Sequence, residues 1–283
     1  MPKKIDSPIV SVVVTTKNEE KNIERCLRSI KRQNFPIKQI EVIIVDNNST
    51  DKTKRIAGKY TKHIYNAGPE RSAQRNYGAS KSKGKFYLYL DADMELSSQV
   101  IKKCVDKFTN DNSLRGLYIP EIVKGNNFWS KIRRFERSFY NATAIDCVRF
   151  VKLSDFNKVG GFATNMSGPE DWDFDKKIRK LGRVDSVSSA LHHNESQVSL
   201  LSYLKKKEYY SSSFQAYIKK WGKDDPDIKK QFGINYRYFW VFVEKGKWRK
   251  LIKHPILAIS MFSIRILVGI TYLKTILVRT IRE

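Results

Sequence analysis

The stretch that most limits what this chain can become is Phe86-Tyr87-Leu88-Tyr89-Leu90-Asp91-Ala92-Asp93-Met94-Glu95. Five apolar or aromatic residues in succession suit a strand covered on both faces, as in a parallel sheet. The run stops abruptly at Asp91 and Asp93. Residues two apart point the same way while a chain stays extended, so both carboxylates can converge on one point. Two anions at the C-terminal edge of a parallel sheet are costly without a cation or ligand between them. That edge is also where open α/β sheets bind ligands. Oxygen-only ligands suit Mg²⁺ or Mn²⁺, and Glu95 could add a third oxygen. The competing reading is a solvated loop capping the next helix.

The upstream sequence repeats this design. Residues 9–15 are a β-branched run, followed by Thr16-Lys17-Asn18-Glu19-Glu20 and a helix with Ile23, Cys26, Leu27 and Ile30 on one face. A second strand, 41–45, ends in Asp46-Asn47-Asn48-Ser49-Thr50-Asp51, where Ser49 or Thr50 would cap a helix starting near Asp51. A short third strand near His63-Ile64-Tyr65 and a helix from about Ser72 to Ser80 precede the central strand. Apolar strands alternating with helices, with polar residues at strand C-termini, predict an α/β fold with a doubly wound parallel sheet.

Downstream, a helix is expected over 97–109, a strand over 114–123 and an amphipathic helix over 128–140. An extended segment at 146–153, a tight turn at Gly160-Gly161-Phe162 and a helix from Glu170 to about Leu181 follow. Two short strands near 183–187 and 189–193 end in His192-His193. The character changes near residue 197, which divides the chain into a catalytic domain, 1–196, and a helical region, 197–283. In that tail, Tyr203, Tyr210, Phe214, Tyr217 and Trp221 fall at helical spacing, and residues 236–243 are densely aromatic. Pro255–Arg279 is apolar but broken by Arg265 and Lys274, leaving uncharged runs too short to span a bilayer. A helix lying in the interface, with its cations on acidic headgroups, fits better than a span.

The formal net charge of +25 implies an anionic partner. The sequence has no zinc spacing or RNA-binding sheet motif, and its net positive charge is densest in the aromatic tail, so a membrane surface is expected rather than nucleic acid. A basic nucleic-acid-binding protein is the alternative from a different class. Cys26, Cys104 and Cys147 show no paired spacing and read as reduced thiols, and Met1–Asp6 lacks the apolar core of a signal peptide.

Taken in order, Val12–Glu19, Val45–Asp51, Gln74–Gly78, Leu90–Asp93, Gly160–Phe162 and Glu170–Trp172 resemble family-2 nucleotide-sugar glycosyltransferases of the GT-A fold, membrane-associated type. The resemblance implies that Thr16, Asn18, Glu19 and Asp46 line the base and ribose pocket. It implies that Asp91 reaches ribose or metal, that Asp93 holds Mg²⁺ or Mn²⁺ against the diphosphate, and that Arg71 and Arg75 meet phosphate. Glu95 stands where dolichol-phosphate-mannose synthases carry a further metal ligand. Asp171 becomes the base for an inverting transfer, with Glu170 and Trp172 at the acceptor, although all three could merely open and pack a helix. His193 could touch diphosphate or metal, or be a satisfied core histidine. Polyprenyl-phosphate synthases lack this Glu-Asp pair because a phosphate acceptor needs no base. The expected reaction is therefore transfer from a nucleotide diphosphate sugar, GDP-mannose favoured, to a hydroxyl of a lipid-linked or surface glycan. The expected location is the cytoplasmic face of the cell membrane, and a polyprenyl-phosphate glycosyl synthase is the alternative.

Overall fold

A computed structural model describes residues 7–196 and 199–280; Met1–Asp6 and the side chain of Lys274 lie outside the described residues. The first half runs β1 (Val10–Thr16), α1 (Ile23–Lys31), β2 (Ile40–Asp46), α2 (Thr53–Ala57), β3 (Ile64–Asn66), α3 (Arg71–Lys81), β4 (Phe86–Asp91), β5 (Met94–Leu96), α4 (Val100–Asn110) and β6 (Leu114–Tyr118). It continues through β7 (Glu121–Lys124), α5 (Phe128–Arg137), β8 (Phe150–Lys152), α6 (Leu153–Lys158), α7 (Glu170–Leu181), β9 (Arg183–Ser186) and β10 (Leu191–Asn194). Helices then dominate: α8 (Leu200–Ser211), α9 (Phe214–Trp221), α10 (Pro226–Phe232), a π-helical turn (Tyr236–Trp240), α11 (Val241–Val243), α12 (Trp248–Lys253) and α13 (Pro255–Thr280).

The chain forms two compact units: residues 1–121, 147–164 and 173–193, and residues 122–146, 165–172 and 194–283. The division expected at 196/197 therefore differs from the observed grouping, because the apolar face of α5 lies in the same buried cluster as the tail.

In the first unit a seven-stranded sheet has the order β3-β2-β1-β4-β8-β6-β9. The four strands on one side are parallel, and β8 runs antiparallel to both β4 and β6. Tyr87, Leu88, Tyr89 and Leu90 are fully buried because alternate side chains face two different cores. Leu88 and Leu90 join Val12, Val14, Ile23 and Leu27, whereas Tyr87 and Tyr89 join Val13, Phe156, Phe162 and Phe174. Helix α3 approaches β1 so closely that a Cβ on Gly78 would stand 2.3 Å from Val13 Cγ1. Gly160 and Gly161 take φ of 72° and 61°, a region open to glycine, which makes the expected tight turn.

Several sequence expectations change in detail. Ser49 and Thr50 do not cap α2; its N-cap is Lys52 with no side-chain cap, and Ser49 bonds Asp46 instead. The strand expected over 114–123 is two strands, β6 and β7, interrupted at Pro120, whose ring lacks the N–H a central strand needs. The helix after the acidic motif starts at Val100, because Met94–Leu96 first form β5, paired antiparallel with β10.

The second unit is built around Ile132, Phe135, Phe139, Tyr203, Phe242, Met261 and Ile264. Through its middle runs an ion-pair chain. Glu136 accepts from Arg265 Nη1 at 2.8 Å, from Tyr140 Oη at 2.6 Å and from Arg133. Arg133 in turn reaches Glu195 at 3.1 Å. Arg265 is thus not a headgroup anchor; it is a 5% exposed interior cation, and α13 passes over it as one continuous helix. Burial would push the Glu136 carboxyl up, but Arg133 and Arg265 outweigh it and push it down to about 2. A carboxyl ionised below its ordinary range stabilises the fold fully above pH 4.5 and loses that contribution as pH falls toward 2. Urea unfolding should lose on the order of 3 kcal/mol from this group between pH 5 and 2, and Glu136→Gln should flatten that part of the acid limb while lowering stability at pH 7.

Candidate active site at the sheet edge

The parallel register lines up the ends of three strands. Thr16 lies opposite Asp46, and Thr15 lies opposite Asp91. Sequence hydropathy ends all three strands at the same level, so the polar residues that follow meet at one edge.

Asp46 is fully buried and organises the loop behind it: its carboxylate accepts from Ser49 N at 2.7 Å and from Ser49 Oγ at 2.5 Å. The loop after β1 is tied to this one. Asn18, at φ 54°, donates its backbone N–H to Ser49 Oγ at 2.8 Å and accepts Thr50 N–H on its side chain at 2.9 Å. Glu19 receives Asn22 Nδ2 at 2.6 Å, while its own N–H reaches Thr53 Oγ1. Burial raises the Glu19 carboxyl above its ordinary range; the Asn22 bond lowers it, and Asp93, Asp91 and Asp51 push it further up.

Three consecutive residues of α3 hold the edge together. Gln74 Nε2 donates to Thr16 O at 3.0 Å and to Val45 O at 2.7 Å, satisfying carbonyls where β1 and β2 end. Arg75, fully buried, donates to Asp91 Oδ1 at 3.1 Å, its guanidinium 4.5 Å from the Tyr89 ring centre and 5.0 Å from that of Phe162. Asn76 closes the glycine turn, giving Nδ2 to Phe162 O and taking Phe162 N–H, both at 2.8 Å. Arg71, a third exposed, stands 3.5 Å from Asp91 Oδ2. Thr15 Oγ1 adds a 2.8 Å bond to Asp91 Oδ1. Burial would raise Asp91, but Arg75, then Arg71 and Arg149, and the Thr15 hydroxyl hold it far below the usual carboxylate range.

The two aspartates have different partners. Strand β4 ends at Asp91, the chain turns at Ala92-Asp93, and Asp93 Oδ2 meets His193 Nε2 at 3.1 Å. His193 Nδ1 lies 3.0 Å from Glu121 Oε1, and Glu121 Oε2 accepts from Arg149 at 3.2 Å. Burial opposes protonation of this imidazole, yet Asp93 and Glu121 raise its pKa well above the usual value, so both ring nitrogens donate. His193 is thus a satisfied histidine that grips Asp93. Glu121 and Arg149 escaped sequence reasoning, since nothing local marks two residues 28 apart as an ion pair.

Among the described residues no three His, Cys, Asp or Glu are grouped at metal-holding distance. Asp91 is engaged by arginines, and Glu95, on β5, lies 3.8 Å from Arg25. Asp93 Oδ1 differs: it is buried with no hydrogen-bond partner, as is Thr16 Oγ1. A buried carboxylate oxygen left open beside a restrained one fits a cation ligand, since Mg²⁺ commonly takes one or two carboxylates and completes its shell with water and phosphate.

Glu170, Asp171 and Trp172 open α7 and group with the second unit. There Trp172 Nε1 donates to Ile145 O at 3.1 Å, and its ring packs with Phe214, Tyr217 and Phe232 at about 6 Å. Glu170 is buried and Asp171 half-buried. The expected metal residues Asp91, Asp93 and Glu95 and the donor residues Thr16, Asn18, Glu19, Asp46, Arg71 and Arg75 all belong to the first unit.

The mostly parallel α/β sheet with this polar edge resembles those of GT-A glycosyltransferases, and a solved structure bears out that fold. The mannosyltransferase PcManGT from Pyrobaculum calidifontis, solved in complex with GDP-Man and Mn²⁺, superposes with a TM-score of 0.64 over 97% of this chain and 87% of that one, at 18% identity. The family model for glycosyl transferase family 2 matches residues 11–166, and the chain belongs to that family. It is 33% identical over 105 residues to glycosyltransferase AglE of Haloferax volcanii, covering 35% of this chain and 34% of that protein. It is 32% identical over 110 residues to the GalNAc(5)-diNAcBac-PP-undecaprenol beta-1,3-glucosyltransferase of Campylobacter jejuni, covering 35% and 34%. The chain spans about a third of the length of these two curated relatives.

The two arginines facing Asp91 should behave differently. Arg75→Met leaves a buried carboxylate without its main partner and should cost about 3–5 kcal/mol in chemical denaturation. Arg71→Ala removes a partly solvated contact and should cost under about 1 kcal/mol.

Proposed function

We propose that this chain is a metal-dependent, inverting glycosyltransferase that moves a sugar from a nucleotide diphosphate sugar to a hydroxyl of a lipid-linked or surface glycan. The reading rests above all on one observation: Asp93 keeps Oδ1 buried and open while His193 fixes Oδ2, at the edge where β1, β2 and β4 end together. The edge offers nucleoside contacts at Thr16, Asn18, Glu19 and Asp46, and Arg71 is exposed enough to turn from Asp91 toward a phosphate. Asp93 would hold Mg²⁺ or Mn²⁺, with Asp91 and Glu95 as further expected ligands. Bound there, the ion neutralises charge on the departing diphosphate. GDP-mannose remains the favoured donor; PcManGT, of like fold, was solved with GDP-Man and Mn²⁺. The undecaprenol-linked substrate in the name of the Campylobacter relative supports a lipid-linked acceptor.

Asp171 takes the acceptor hydroxyl's proton as the nucleotide leaves. It sits in the first turn of α7. Glu170 and Trp172 belong to the acceptor side in this reading. In this reading the chain works at the cytoplasmic face of an anionic membrane, with no nucleic-acid partner. The apolar stretch Pro255–Leu273 of α13, with a mean hydropathy of 2.0, supports membrane association.

Two variants test the roles separately. Asp171→Asn should cut transfer by about 10²–10⁴-fold while leaving donor binding intact; full retained activity excludes Asp171 as base and favours the polyprenyl-phosphate synthase. Asp93→Asn should abolish the Mn²⁺-dependent rise in melting temperature given by the donor; an undiminished rise removes Asp93 from the metal site.

A further inference from the structure

The second unit leaves an apolar ridge uncovered. Along α13, Ile256, Ile259, Ile266, Ile270 and Leu273 are 70, 69, 55, 57 and 60% exposed. Their spacing of three, four and seven places them on one face. The opposite face, Ala258, Met261, Ile264 and Arg265, is buried among α5, α8 and the aromatic turn. Just before α13, Trp248, Arg249 and Lys253 are exposed, and Ile252 extends the ridge at 69%.

Pro255–Leu273 is long and apolar enough to cross a bilayer, 19 residues with 22% buried, so length alone allows either a span or an in-plane helix. Arg265 decides between them. Its Nη1 is 2.8 Å from Glu136 of α5, its Nη2 reaches the carbonyl of Arg237, and its guanidinium lies 5.0 Å from the ring centres of Tyr238 and Phe242. Tyr238 Oη returns a bond to Arg265 O at 2.9 Å. A spanning α13 would put its apolar stretch at hydrocarbon depth together with whatever stays packed on it. Either it would carry α5 and α8 with it, taking the exposed Lys131, Lys205 and Lys206 to membrane depth, or it would strip away and break the Glu136–Arg265 pair. Lying flat requires neither, and offers the ridge to acyl chains with Arg249 and Lys253 at headgroup level.

We propose that α13 docks in the plane of an anionic bilayer, outer ridge inward, and does not cross it. The inference rests on the membrane-associated reading above and sharpens it to one geometry. The full chain is labelled with an environment-sensitive fluorophore at Ile256→Cys, Ile266→Cys or Leu273→Cys, the three native thiols being buried. Labelled proteins are mixed with phosphatidylcholine vesicles containing or lacking phosphatidylglycerol, and depth is read by brominated lipids at several acyl positions. The expected result is quenching at one common shallow depth at all three sites, several-fold weaker without phosphatidylglycerol. A profile deepest at Ile266 and shallow at both ends overturns the in-plane helix and keeps membrane association. Absence of vesicle-dependent quenching at every site overturns both, as does a ridge covered by a second copy in solution. Ile259→Glu with Ile266→Glu should reduce vesicle binding at least tenfold with an unchanged melting temperature; unchanged binding also overturns the docking face.

Discussion

A guanidinium with no solvent exposure, packed against two aromatic rings that also touch each other, fixes the geometry of the whole sheet edge. Burying Arg75 would be unfavourable without Asp91 to meet it, and burying Asp91 would be unfavourable without Arg75. Once the pair forms, its neighbours are constrained as well. Tyr87 Oη bonds the Arg75 carbonyl at 2.9 Å, while Gln74 and Asn76, on either side, hold the ends of β1 and β2 and the glycine turn. Three adjacent residues on one helix thus bind three separate parts of the edge. Helix α3 can do this only because Gly78 lets it settle against Val13.

This fixed pair divides the labour of the acidic motif. Asp91, held ionised by arginines, is scaffold. Asp93 is steered from the other side through His193, Glu121 and Arg149, an alternation of anion and cation in which each charge has an opposite neighbour. One Asp93 oxygen is therefore positioned by protein and the other is open. A carboxylate held this way would lose little freedom if it took a cation, as the proposed metal role requires.

The alternation of apolar strands and amphipathic helices was legible because β1, β2 and β4 are mostly buried on both faces, so their hydropathy is continuous. The acidic edge was legible for the same reason: strand ends announce themselves where hydropathy stops. The different partners of Asp91 and Asp93 were not, since β4 ends at Asp91 and the chain turns at Ala92. Pro120 could have revealed the break between β6 and β7, because it lies inside an otherwise plausible strand. The cap of α2 misled because Ser49 bonds Asp46, three residues back, and Thr50 bonds Asn18 on the loop after β1.

Arg265 illustrates a different limit. In a linear reading it interrupts an apolar run and belongs at a headgroup; in the fold it points inward and is neutralised by Glu136, 129 residues earlier. Counting charges along a helix cannot distinguish these cases, because hydropathy averages over the direction a side chain takes. The magnitudes favour keeping the pair. Breaking a buried ion pair by removing one partner costs about 3–5 kcal/mol. Full burial of an isoleucine yields about 1.5–3 kcal/mol, so half-burial of five ridge residues yields about 4 kcal/mol or more. A flat α13 collects that gain with the pair intact, whereas a stripped helix sets a similar gain against the loss of its own internal contacts.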